Sequence, residues 1–237
     1  MKIFNRNKNI IKTDPSDKPR IRYEKVLFHS LENEGYKYLK SKSEFVQTFD
    51  FGKRIISLSY NSSFGYISAV QYSVKIIFTD LEKLFKKVYP NYGWTNWTIH
   101  QNLHWTESWL CDKDTGEYTD KTINNLAKEF FGEIKPKIDN TFSKICDYTS
   151  LNEEYNSKPN EFIDFLPSSR LEKRIINGLI LIMNIEPANY QVTRTQYLQL
   201  LDKYKGNDIE DIRAKVDLGL KAIDNQELKI KTTANNV

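Results

Sequence analysis

Apolar residues along the chain change their spacing twice, and the changes mark its elements. Residues 21–35, IRYEKVLFHSLENEG, put Tyr23, Val26, Leu27 and Leu31 on one helical stripe with Gly35 as the stop. His29 falls on the flank of that stripe, the place of a surface or boundary histidine. From 44 to 78 the period falls to two. EFVQTFD alternates through Phe45, Gln47 and Phe49, and KRIISLSY sets Ile56, Leu58 and Tyr60 on one face. NSSFG, residues 61–65, reads as a turn, after which Tyr66, Val70, Tyr72, Val74, Ile76 and Phe78 hold even positions of a long half-buried strand. Connections this short predict an antiparallel meander.

The helical period then returns. In TDLEKLFKKVYP, Thr79 and Glu82 have capping-box spacing ahead of Leu81, Leu84, Phe85 and Val88, and Pro90 lies beyond the end. DKDTGEY, residues 112–118, reads as a turn. Ile123, Leu126, Ala127, Phe130 and Ile134 follow at helical spacing, and Pro136 predicts a break or kink before Ile138, Phe142 and Ile145. Ser150 with Glu153 and Ser169 with Glu172 have the spacing of two more capping boxes. The second opens RLEKRIINGLILIMN, apolar nearly all round and hence a candidate central helix. Two amphipathic stretches, NYQVTRTQYLQLLDKY and DIEDIRAKVDLGLKAID, complete a helical layer. The expected fold is α+β: an N-terminal helix, then an antiparallel meander packed against a largely helical C-terminal half. The expected organisation is a disordered basic leader (1–22), one domain (23–224, sheet-rich over 23–112 and helical over 119–224) and a frayed tail (225–237).

All four tryptophans, at 94, 97, 105 and 109, lie in one stretch with His100 and His104. From 97 to 109, five of the seven odd positions are apolar, against one of seven even positions from 98 to 110, which is a strand pattern. On a helix two histidines four apart can clasp one zinc, but along a strand they stand roughly 13 Å apart. QNL between them also lacks the glutamate a zinc protease uses as base. A metal site is therefore not expected. The histidines would stand on the polar face of the sheet, free to titrate near neutrality. The indoles bury against helices or, alternatively, form a binding surface. Gln101 and Glu107 fall on the apolar side by parity, where a carboxylate needs a partner or a strand that bends before it. Trp94, His100, Gln101, His104 and Glu107 are accordingly the candidate interaction or pocket residues.

Charge narrows the partners. The net charge is +4 over 237 residues, but residues 1–22 hold seven basic residues against Asp14 and Asp17, so the rest carries −1. A near-neutral body lacks the basic groove that tracks a nucleic-acid backbone. No run approaches the roughly 18 apolar residues of a membrane span, and the N-terminus has charges where a signal peptide is apolar. A cytoplasmic protein with no membrane contact is expected. Cys111 and Cys146 have no metal or disulfide spacing and read as free thiols; Cys111, after the tryptophan stretch, is the better placed as a nucleophile. The nine glycines are scattered singly, which excludes GxGxxG and P-loop motifs, and no GxSxG occurs. No catalytic residues, cofactor or metal are expected, so the chain reads as a non-enzyme.

The order of parts, LENEGYKYLKSKSEFVQTF, the meander to YSVKIIF, the helix TDLEKLF, a tryptophan strand, and INNLAKEFFGEIKPKIDNTFSKICDYTSL before INGLILIMN, resembles the bacterial proteins of domain-of-unknown-function family 4304 over about residues 23–205. The resemblance implies an α+β domain with no catalytic residues to carry over, in the setting of accessory or toxin-immunity proteins. Two functions follow as expectations. The first is a non-enzymatic protein-binding domain with one cognate protein partner. The alternative is a nucleic-acid binder using the basic arm with Tyr60, Tyr72 and Trp94 as stacking aromatics.

Overall fold

The computed structural model of the chain describes residues 10–63, 66–91, 97–106, 110–112, 114–162, 171–225 and 228–230, with residues 63 and 104–106 as backbone only. The fold is α+β, with an N-terminal helix, a five-stranded antiparallel sheet and a helical C-terminal half. Its strands follow in chain order: β1 (Lys37–Leu39), β2 (Glu44–Phe49), β3 (Gly52–Ser63), β4 (Tyr66–Phe78) and β5 (Ile99–Thr106). The alternation drawn from the sequence holds along β4 from Val70 to Phe78, whereas β3 buries Ile55, Ile56, Ser57 and Leu58 in succession. Phe45, Ile56, Leu58, Val70, Tyr72, Val74, Ile76 and Phe78 are all buried, while Tyr66 at the start of β4 is exposed. β3 runs on to Ser63, into the turn expected over 61–65, of which residues 64 and 65 lie outside the described residues.

The chain divides into two compact units that interleave along the sequence. The first comprises residues 1–48, 55–73 and 102–139. Its helix α1 (Pro19–Leu31) starts with proline at the first turn, whose missing N–H costs nothing there, and ends through a 3-10 turn at Gly35, φ 84°. Its second helix, α3 (Asp120–Glu129), is opened by a capping box between Thr119 and Thr122. A π-turn over Phe130–Ile134 leads into α4 (Lys135–Lys144), so the helix passes Pro136 without stopping. The wider turn supplies the adjustment that a proline, lacking an N–H, demands.

Residues 10–22, expected in the disordered leader, are tied into this unit. The Asn124 side chain donates to the Ile11 carbonyl (3.0 Å) and accepts from the Ile11 N–H (3.0 Å), as a neighbouring strand would. Asp120 accepts from Thr13 Oγ1 (2.6 Å) and from Arg22 (3.1 Å), and Arg22 also donates to the Tyr118 carbonyl (2.7 Å).

The second unit comprises residues 49–54, 74–101 and 140–237. Its helices are α2 (Thr79–Val88), α5 (Tyr148–Asn156), α6 (Leu171–Ile185), α7 (Tyr190–Lys203) and α8 (Ile209–Asp224). As expected, α6 is central: every residue from Leu171 to Ile182 is buried, and α2, α5, α7 and α8 pack on it. Two capping boxes are corrected. Phe78, not Thr79, precedes α2, and no side chain caps that helix. Asp147 caps α5, with Ser150 as its reciprocal partner three residues in. Ser169 lies outside the described residues. Part of the expected tail is docked: Leu228 and Ile230 are buried, and Asn184 of α6 accepts from the Ile230 N–H at 3.0 Å.

Candidate functional site

The tryptophan stretch enters β5 as its parity requires. Ile99 and Leu103 are buried, His100 and Gln101 are half-buried and Asn102 is exposed. Gln101, anomalous on the apolar side, is satisfied by the Thr141 hydroxyl at 3.1 Å, so its polarity serves packing. The Trp97 ring lies 5.0 Å from the His100 ring. Burial, with Lys75 adding repulsion, holds His100 below the ordinary imidazole range, so it is neutral at pH 7 rather than poised to titrate there. His104 lies in β5 with its side chain outside what is described, and Trp94, Glu107 and Trp109 lie outside the described residues. Since His100 and His104 share one strand, the roughly 13 Å between positions four apart stands. Among the described residues no group of three His, Cys, Asp or Glu side chains could hold a metal ion. Cys111 is buried and Cys146 exposed.

Sequence reading missed what anchors this stretch. Thr98, on the polar side by parity, is fully buried. Its hydroxyl donates to Glu82 Oε1 (2.9 Å) and accepts from the Phe78 N–H (3.0 Å), while its own N–H donates to the Ile76 carbonyl of β4 (2.8 Å). Glu82 Oε2 accepts from Lys173 Nζ at 2.8 Å, and Lys173 also donates to the Trp97 carbonyl (2.8 Å) and lies 5.2 Å above the Phe85 ring. Glu82 thus serves an enclosed ion pair rather than a helix cap, with side chains 7% and 0% exposed. The signal was a pair of cations, Lys173 and Arg174, inside a mostly apolar helix.

The first unit encloses charge as well. Glu24 on α1 is fully buried and accepts from the Tyr60 hydroxyl at 2.8 Å and from the Tyr38 hydroxyl. The Tyr23 and Tyr72 hydroxyls pair at 2.5 Å. Burial first, and then the Glu24 carboxylate, push the Tyr60 hydroxyl far above its ordinary range, so it stays a donor at all physiological pH.

The two edges of the sheet differ. The edge strand β1 has three residues, with Lys37 exposed and Lys40 and Lys42 following. Short length and lysines are how proteins blunt an edge against pairing. The other edge, β5, has eight residues, IHQNLHWT, with neither proline nor a carboxylate, lysine or arginine. The chain matches no protein-family model, no curated protein and no solved structure. Among the described residues no helix is long and apolar enough to cross a membrane.

Proposed function

We propose that the chain is a non-enzymatic protein-binding module that takes an extended segment of one partner protein alongside β5. The observation that carries this reading is the contrast of edges: β1 is short and lysine-flanked, whereas β5 is long and carries none of those guards. Strand addition of this kind draws affinity from main-chain hydrogen bonds and specificity from alternate side chains. Thr98 gives its N–H to β4, so a regular strand continuing from it directs the N–H groups of Ile99, Gln101 and Leu103 the other way. Toxin neutralisation in the cytoplasm is the setting that the resemblance to family 4304 adds.

Capture of the tagged chain from native lysate, with and without nuclease, tests this with two variants. Gln101→Pro removes an edge N–H, and Gln101→Ala keeps it while losing only the amide bonded to Thr141. One nuclease-resistant protein at near-equal stoichiometry, held by Gln101→Ala and lost by Gln101→Pro, is expected. Equal capture by both variants would remove β5 as the edge, and loss of all captured material on nuclease treatment would favour the nucleic-acid alternative.

A further inference from the structure

Residues 10–13 lie on α3 of the first unit as a bound peptide would. Asn124 meets Ile11 with donor and acceptor together: its Nδ2 donates to the Ile11 carbonyl and its Oδ1 accepts from the Ile11 N–H, each at 3.0 Å. A primary amide bonded in this way reads one extended residue through its main chain. Two residues on, Asp120 Oδ1 accepts from both the N–H (3.2 Å) and the hydroxyl (2.6 Å) of Thr13. The same hydroxyl accepts from Arg22 Nε at 2.7 Å, so it serves as donor and acceptor at once. Ile11 is half-buried and Lys12 is exposed.

The receiving side is held by bonds that do not involve this segment. Asn124 Nδ2 also donates to the Asp120 carbonyl at 2.7 Å, Arg22 Nη2 lies 3.1 Å from Asp120 Oδ1, and Arg22 Nη1 donates to the Tyr118 carbonyl at 2.7 Å. Arg22 and Asn124 are both buried. The Thr13 hydroxyl first, and Arg22 with it, hold the Asp120 carboxyl below the usual carboxylate range, which keeps it an acceptor at neutral pH. The occupant is held differently. No residue from Ile10 to Arg20 is buried, and Ile10 is 53% exposed. A segment fastened by half-exposed polar bonds, with no buried apolar anchor, opens at little cost.

We propose that Asn124, Asp120 and Arg22 form a docking site for an extended segment of another protein that carries an apolar residue, any residue and then serine or threonine, and that residues 10–13 fill it in cis as an autoinhibitory stand-in. Asn124 takes the main chain of the first residue, and Asp120 with Arg22 takes the hydroxyl of the third. Valine in the third place would leave the carboxylate and a guanidinium nitrogen without that partner. A second copy of the chain offers only the same segment, and a tethered one has an effective concentration on the order of millimolar, so displacement calls for a different and better-fitting chain. The site uses no residue of β5, and its failure would leave the β5 reading untouched.

The probe is a fluorescent peptide of residues 8–16, KNIIKTDPS, titrated by anisotropy against the full chain and against the double variant Ile11→Pro, Thr13→Val, which loosens the leader and changes no residue of the receiving side. A leader docked about nine-tenths of the time raises the apparent Kd about tenfold, so the loosened chain should bind the peptide about tenfold more tightly than the wild type. A peptide with valine for threonine should bind the loosened chain at least about tenfold more weakly, a readout that needs no further variant to fold. Asn124→Ala, which suits a helix, should abolish binding in the loosened chain. Equal affinity of the wild type and the loosened chain, equal affinity of the two peptides, or no binding to the loosened chain would overturn the site. A concentration-dependent dimer of the wild type that the loosened chain does not form would place a second copy's leader there and overturn the assignment to another protein.

Discussion

Glu24 in the first unit and Arg174 in the second are both fully enclosed, yet two tyrosine hydroxyls meet the carboxylate while the guanidinium, beside the Tyr197 hydroxyl and the Lys158 carbonyl, has no carboxylate bonded to it among the described residues. Lys173, next to Arg174 on α6 and equally enclosed, marks the third case, with a carboxylate at 2.8 Å. A buried charge matched by neutral donors or by an opposite charge locks its neighbours in place and needs nothing more. One left without a counter-charge costs stability. The comparison therefore separates charges that are matched from one that is only solvated by neutral groups.

The neighbouring cations of α6 give the largest test. Lys173→Met strands Glu82 in the interior, and loss of one partner of a buried pair costs about 3–5 kcal/mol. Changing Lys173 and Glu82 together to apolar residues should recover most of that. Arg174→Met, one residue on, removes a charge that has no carboxylate partner among the described residues and should cost far less. Denaturant titration of the variants measures both, and equal losses for Lys173→Met and Arg174→Met would erase the distinction between paired and unpaired charge.

Glu24→Gln tests the first unit. The amide keeps the shape and loses the charge that makes the bonds from Tyr38 and Tyr60 strong, at a cost of about 1–3 kcal/mol. Tyr60→Phe, which leaves the carboxylate with the Tyr38 hydroxyl alone, should cost at least as much. Unfolding midpoints in urea decide it. A cost near zero for both would mean that the network is bystander packing.

These charges also mark the limit of what the sequence can convey. Periodicity suffices for α1, for the strands β2 to β4 and for the central place of α6, because burial of one face is written into spacing. The candidate residues His100 and Gln101 were likewise legible as members of a strand. Partner choice was not. Thr79 and Glu82 have the spacing of a capping box, but Lys173, 91 residues away, takes the carboxylate. Ser150 looked like a cap because nothing in its spacing to Glu153 reveals that Asp147 already holds the place. The ends of the chain misled for a related reason: Asn124 and Asn184 fasten Ile11 and Ile230 by amide groups, and a side chain that imitates a neighbouring strand leaves no periodic trace.

The smallest expected effect belongs to His100, whose charge is discouraged rather than matched. Burial and Lys75 lower its pKa in the folded chain below the value of 6.5 that it takes when free. Between those two values the unfolded chain binds more protons, so stability falls as the pH drops through about 6.5 and the loss is complete once the folded pKa is passed. Above that range the neutral ring contributes its full share, packed 5.0 Å from Trp97. His100→Gln removes the titration, so the stability advantage of the wild type over the variant should shrink between about pH 8 and about pH 5, measured as unfolding midpoints in denaturant. The change is small because the ring is only half enclosed and solvent screens its charge. An advantage that stayed constant across the range would mean that the imidazole accepts its proton as readily in the folded chain as in the unfolded one, and that β5 tolerates a cation where its neighbours show none.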